Sequence, residues 1–267
     1  MSIDFFEILE TNSGEFSKGQ RRIAQYITES YDKAAFMTAN RLGKTVGVSE
    51  STVVRFAVDL GYDGYPSMQK AMQEMVLNRL TSVQRIEVAN DRIGNQDVVS
   101  MVLQSDIDKL RQTAENVDRK EFQAAVDAVL GAKNIYILGV RSVAPLANFL
   151  GYYLNYMFNN VRIVTASGTS EMFEQILNIG ENDIMIGISF PRYSKHTVKA
   201  FRYASEQGAK VIAITDSKAS PLAEYADNIL LARSDMVSFA DSLVAPMSVI
   251  NALIVAVGMR KSDYVVH

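Results

Sequence analysis

Apolar positions recur every three or four residues through the first eighty positions, then beyond residue 134 they condense into short unbroken runs separated by amphipathic stretches. In the first part the spacing predicts helices over 18–30, 38–46, 49–60 and 67–80. The 49–60 helix has the clearest boundaries. Ser49 caps it just beyond the turn glycine Gly47 and the apolar Val48, and Gly61 stops it. Val53, Phe56, Ala57 and Leu60 share its buried face, while Leu42 and Val46 turn the preceding helix inward. Pro66 is well placed to begin the fourth helix, whose Met68, Met72 and Met75 fall at core spacing. Residues 81–96 lose periodicity and gather Asn90, Asp91, Gly94 and Asn95, which predicts a linker. Helical spacing returns over 97–116 and 118–130, the latter opened by Asp118 and Glu121 in a capping-box pattern.

Strands are expected over 135–138, 161–165, 184–189, 211–215 and 229–232, each nearly all apolar as in a parallel sheet covered on both faces. The stretches 143–158, 170–179 and 195–207 fit crossover helices, 221–225 is barely a turn or two, and 242–259 closes the chain. The fold class is therefore α/β: an all-α helix-turn-helix domain over 1–80, the linker, and a doubly wound parallel-sheet domain with its leading helices over 97–267.

The pair of helices over 38–46 and 49–60 leaves a distinctive surface outward. Arg41 and Lys44 suit a phosphate backbone; Ser49, Ser51 and Thr52 offer hydroxyls to phosphates or base edges, with Glu50 beside them; Arg55 follows one turn on, its fork matched to guanine or phosphate. Double-stranded DNA is the expected partner, against the plainer alternative of a helical bundle with a polar face. The net charge of −3 argues the other way only until position is considered. Between Ser17 and Val58 the bases Lys18, Arg21, Arg22, Lys33, Arg41, Lys44 and Arg55 outnumber the acids Glu29, Asp32 and Glu50. Screening over ~10 Å makes that local balance decisive.

Doubly wound sheets bind ligands beyond the carboxyl ends of their strands. There the sequence places Arg141 and Ser142 in the first loop, Ser189, Arg192, Tyr193 and Ser194 in the third, and Asp216 and Ser217 in the fourth. Hydroxyls and N–H groups at a helix start, with two guanidiniums, point to an anion. Phe190 and Tyr193 are expected to flank a sugar ring and Asp216 to accept from its hydroxyls. The plainer alternative pairs Arg141 and Arg192 with acids such as Glu171 or Asp183 and leaves the serines as caps.

Other chemistry is poorly supplied. The 267 residues hold no cysteine and only two histidines, His196 and His267, so thiolate chemistry, a metal site and a histidine-based catalytic set are not expected. Gly43, Lys44 and Thr45 imitate a phosphate-binding loop, but Thr38 stands where it needs glycine. Arg141 stands where a dinucleotide fingerprint wants glycine, so no cofactor is expected. The opening MSIDFFEILE is acidic and unlike a signal peptide, and the longest apolar runs, such as Ile184 to Ile188, are strand-sized. A cytoplasmic protein without membrane contact is the expectation.

RRIAQYI at 21–27, VGVSESTVVRFAVDLGYDGYP at 46–66, IYILG at 135–139, ISFPRYS at 188–194, and ITDS followed by SPLAEYAD within 214–227 together resemble the RpiR-type bacterial transcriptional regulators. These join an N-terminal helix-turn-helix to a sugar isomerase (SIS) domain. The resemblance implies a dimer or tetramer that binds an operator, senses a phosphorylated sugar or related anionic metabolite, and controls carbohydrate metabolism genes. It also implies chain beyond the last helix, where this sequence stops. Ser189 matches a phosphate-loop serine and Ser194 a hydroxyl at the helix start. Pro191 and Val143 stand where the family has serines, and Arg141 and Arg192 where it has glycines, so the arginines are expected to take over the anion. The alternative function is a sugar phosphate isomerase or lyase. Its base would be Glu171 or Asp241, but the Ser238 to Ser242 segment lacks the glutamate-led stretch of the isomerases.

Overall fold

The computed structural model describes residues 5–79, 97–165, 168–234 and 240–265. The chain divides into two compact units, Met1–Glu87 and Val88–His267. The predicted linker over 81–96 lies outside the described residues.

The first unit is helical: α1 (Phe5–Asn12), α2 (Lys18–Glu29), α3 (Tyr31–Ala34), α4 (Ala39–Val46), α5 (Glu50–Asp59) and α6 (Tyr65–Arg79). Local chemistry sets the boundaries. Ser17 and Gln20 close a reciprocal capping box on α2, Thr38 accepts from the Arg41 N–H to start α4, and Ser49 accepts from Thr52 to start α5. The core gathers Ile23, Ile27, Leu42, Val53, Phe56, Met68 and Met72, all fully buried. The Tyr65 hydroxyl donates to the Met37 carbonyl at 2.6 Å, tying the start of α6 to the turn before α4. Burial there pushes its phenol up to about 12. Helix α6 starts two positions before the expected Ser67, with Pro66 inside its first turn. Helices α1 and α3 are additions to the sequence expectation.

In the second unit α7 (Val98–Asn116) and α8 (Arg119–Gly131) precede a five-stranded parallel sheet: β1 (Ile135–Gly139), β2 (Val161–Val164), β3 (Ile184–Ile188), β4 (Lys210–Thr215) and β5 (Asn228–Leu231). Strand order is β2-β1-β3-β4-β5, so the order reverses between β1 and β3. Crossovers run through α9 (Ala144–Met157), α10 (Thr169–Ile176) and α11 (Lys195–Glu206); the fourth contains only a 3-10 turn at Ala223–Tyr225, and α12 (Val244–Val265) closes the unit. Alternation along the strands feeds two cores. Ile135, Ile137, Ile184 and Ile186 pack under α8, α9 and α12, while Tyr136, Leu138, Met185 and Val211 pack under α10 and α11.

Two expectations need correction. Asp118 caps α8 through the N–H groups of Lys120 and Glu121, but Glu121 does not reach back to complete a box; its carboxylate accepts from the Asn228 side chain and the Ile229 N–H on β5. Strand capture outcompetes the local bond because it satisfies an edge amide that has no other partner in the ladder. The strand-sized limit on apolar runs also fails: the Val244–Lys261 window of α12 is apolar and long enough to cross a bilayer by composition. Ile250, Leu253 and Val257 on it are fully buried in the core shared with β1 and β3, whereas Val255 and Met259 are 51% and 69% exposed.

Candidate functional sites: a helix-turn-helix surface and an anion loop cluster

Helix α4 ends on Gly47, whose φ of 69° turns the chain back, and Gly43 lets α5 approach: a Cβ on Gly43 would lie 2.9 Å from the Val48 carbonyl oxygen. Arg22 from α2 donates to the Gly47 carbonyl at 3.2 Å, and Asn40 donates to Glu50 at 3.0 Å, bridging the two helices. Sequence reading missed both bridges because their partners are 25 and 10 positions away. Arg41, Lys44, Ser51 and Arg55 are exposed, and Thr52 is half-buried. The Ser49 hydroxyl lies 2.8 Å from both Ser51 Oγ and Thr52 Oγ1 while capping the helix. All six expected DNA-facing residues thus sit on α4, α5 or the turn between them. The structure adds Val54 and Val58, 39% and 53% exposed, to the outer side of α5.

The second cluster lies where β1, β3 and β4 end together, with Gly139 opposite Ile188 and Ile188 opposite Ile214. Gly139 is needed there, since a Cβ would stand 2.8 Å from the Val143 carbonyl oxygen and block the loop from folding back. Arg141 and Arg192 are the non-glycine residues with positive φ among the described residues, at 57° and 71°. That is the left-handed region glycine enters freely, and holding another residue there costs about 1–3 kcal/mol. Arg141 and Ser142 are exposed. The Arg141 guanidinium has no hydrogen bond or ion pair among the described residues.

The remaining expected ligands are already engaged. Arg192 Nη2 meets Asp241 Oδ2 at 2.5 Å, and its Nε is buried without a partner among the described residues. Its partner is therefore neither Glu171 nor Asp183; Asp183 instead accepts from Asn134 and from the Gly180 N–H. Ser189 and Ser194 are buried, Ser189 Oγ accepting from the Ser194 N–H at 3.4 Å and Ser194 Oγ capping α11 through Thr197. Tyr193 donates to Asp216 at 2.7 Å, and Thr215 donates to the same oxygen at 3.2 Å. Ser217 Oγ accepts from the Ala219 N–H. Phe190 is corrected: it is 6% exposed, its ring packed in the core under α9 and α12 and so not free to flank a sugar as expected. A cavity of about 600 Å³ lies elsewhere, between α7, α8, β5 and α12, and is mostly apolar. A smaller one of about 220 Å³ touches Asp216, Thr113 and Arg233. Neither cavity is lined by Arg141 or Arg192.

Known proteins share both halves. A model of the helix-turn-helix domain of the rpiR family matches residues 3–78, and a model of the SIS domain matches 129–256. The chain is 32% identical to the sugar isomerase domain of an RpiR transcription factor from Sphaerobacter thermophilus, covering 63% of this chain and 93% of that one with a TM-score of 0.60. It is 25% identical to the NanR protein of Vibrio vulnificus, solved in complex with ManNAc-6P, over 97% of this chain and 93% of that one with a TM-score of 0.59. The HTH-type transcriptional regulator HexR of Escherichia coli is 26% identical over 84% of this chain and 76% of its own length.

Proposed function

Because the chain belongs to the RpiR family of helix-turn-helix transcriptional regulators with a SIS domain, we propose that it binds operator DNA through α4 and α5. A phosphorylated sugar or related anionic metabolite at the β1, β3 and β4 loops then sets its DNA affinity and controls carbohydrate metabolism genes. The observation that carries this reading is the pair of arginines in left-handed backbone at the strand-order reversal, where a strained cation is hard to account for except as a ligand contact. The complex of NanR with ManNAc-6P supports the ligand class. The α5 face supports the DNA contact: Ser51, Thr52 and Arg55 offer hydrogen bonds, and exposed Val54 offers an apolar surface for a thymine methyl.

The chain works as a homo-oligomer, dimer or tetramer, in the cytoplasm. Tyr152, Tyr153 and Tyr156 on α9, 57%, 40% and 73% exposed, support self-association, since clustered exposed aromatics favour protein contacts. It is not an isomerase in this reading. Of the two carboxylates able to serve as base, Asp241 is committed to Arg192 and Glu171 is exposed on α10. Fluorescence anisotropy with duplexes from the gene's own surroundings, with and without ManNAc-6P and other sugar phosphates, tests the proposal. Sequence-selective binding shifted by one sugar phosphate is expected. Indifference to every duplex, or turnover of a sugar phosphate, would overturn it.

A further inference from the structure

The Arg192–Asp241 pair spans 49 residues and is largely enclosed, the side chains being 30% and 12% exposed. The contact uses Nη2, while Nε, on the same edge of the guanidinium, is buried with no hydrogen-bond partner among the described residues. A guanidinium edge offers two parallel donors, and an anion that takes both binds better than one that takes a single donor. Asp241 thus holds Arg192 incompletely. The 240–242 segment is fastened to α7 through Ser242, which donates to Asp106 at 2.6 Å; just past the end of β5 the Arg233 N–H donates to Thr113 at 3.0 Å and Arg233 Nε to Gln112 at 3.3 Å, also on α7. Ser234 further donates to the Ser242 carbonyl at 3.1 Å. Helix α7 is the first described element after α6 along the chain.

We propose that Asp241 is a built-in stand-in for the effector: its carboxylate occupies Arg192 in the empty protein, and the effector's phosphate exchanges for it. The exchange frees the 240–242 segment and so alters its hold on α7. This rests on the sugar phosphate reading of the site and adds how occupancy is signalled. Exchange keeps Arg192 paired throughout, and the Asp241 carboxylate it releases is taken up by water as the 240–242 segment comes free. Only an anion able to use Nε as well as Nη2 displaces a carboxylate already in place, which selects phosphate over neutral sugars.

Calorimetry with inorganic phosphate and with ManNAc-6P on the full chain tests the exchange. Asp241→Asn is expected to bind about tenfold more tightly than the natural chain, the gain of one charge-assisted hydrogen bond no longer contested. Asp241→Ser gives the same result where the Asn amide itself holds the guanidinium, and Arg192→Ala binds weakly. Ser242→Ala, which loosens the segment's hold on α7, blunts the ligand's effect on DNA affinity in anisotropy. If the natural chain binds ManNAc-6P and both Asp241 variants bind it no better, the stand-in role is wrong while the site reading survives. If no form binds either probe, the site reading falls first and the exchange with it.

Discussion

Arg141 and Arg192 show how a single residue can trade backbone comfort for chemistry. Both keep a positive φ that glycine would adopt without cost. Arg141→Gly is therefore expected to be about 1 kcal/mol more stable than Arg141→Ala in urea unfolding, because only glycine relaxes the left-handed backbone. Both should bind ManNAc-6P more weakly than the natural chain in calorimetry; equal stabilities would show that the strain is absent. The sequence revealed the unusual arginines by type and position, yet not the partner of Arg192, since an ion pair across 49 residues leaves no local pattern. Phe190 was misplaced for a related reason: it extends a strand whose alternation had already fixed its side, and the inward side wins for a large ring. Tyr65 carries a pH signature. Its phenol is raised from 10.0 to about 12 by burial, so the folded state keeps the proton after the unfolded state has released it. The stabilising contribution is complete below pH 10 and is lost as pH rises towards 12. Denaturation midpoints across that window should fall more steeply for the natural chain than for Tyr65→Phe.

Elements were far more legible than contacts. The β-strands sit within a residue or so of their expected bounds, because a run buried on both faces is apolar throughout and ends where solvent begins. Helices with strong caps, such as α5 behind Ser49, were equally plain. What escaped was short or compensated: α3 is four residues long, too short for a period to register, and Glu121 abandons its own helix for β5. The turn between α4 and α5 depends on a close approach that no pattern announces. Gly43→Ala places a Cβ 2.9 Å from the Val48 carbonyl oxygen and should destabilise the first unit, with a loss of DNA binding and unchanged ManNAc-6P binding. Overpacking of this kind costs roughly 1–3 kcal/mol. Unaltered DNA affinity in anisotropy would mean the turn can yield.

For the molecule as a whole, the acidic total and the basic helical surface are separate facts. DNA affinity should fall steeply with salt, and Arg41→Ala should reduce the slope of log K against log salt by about one, as expected for losing one phosphate contact. A slope that does not change would place Arg41 off the backbone. Paired copies would address half-sites about one helical turn apart, or a multiple of it, and footprinting can measure that spacing. The carboxylate of Glu121 on the Ile229 N–H has a consequence at this scale too. An outermost strand with free amides invites foreign strands to add to it, and here α8 supplies a plug. Without that plug the sheet would be open to growth, so Glu121→Ala is a candidate route to insoluble, laterally stacked aggregates.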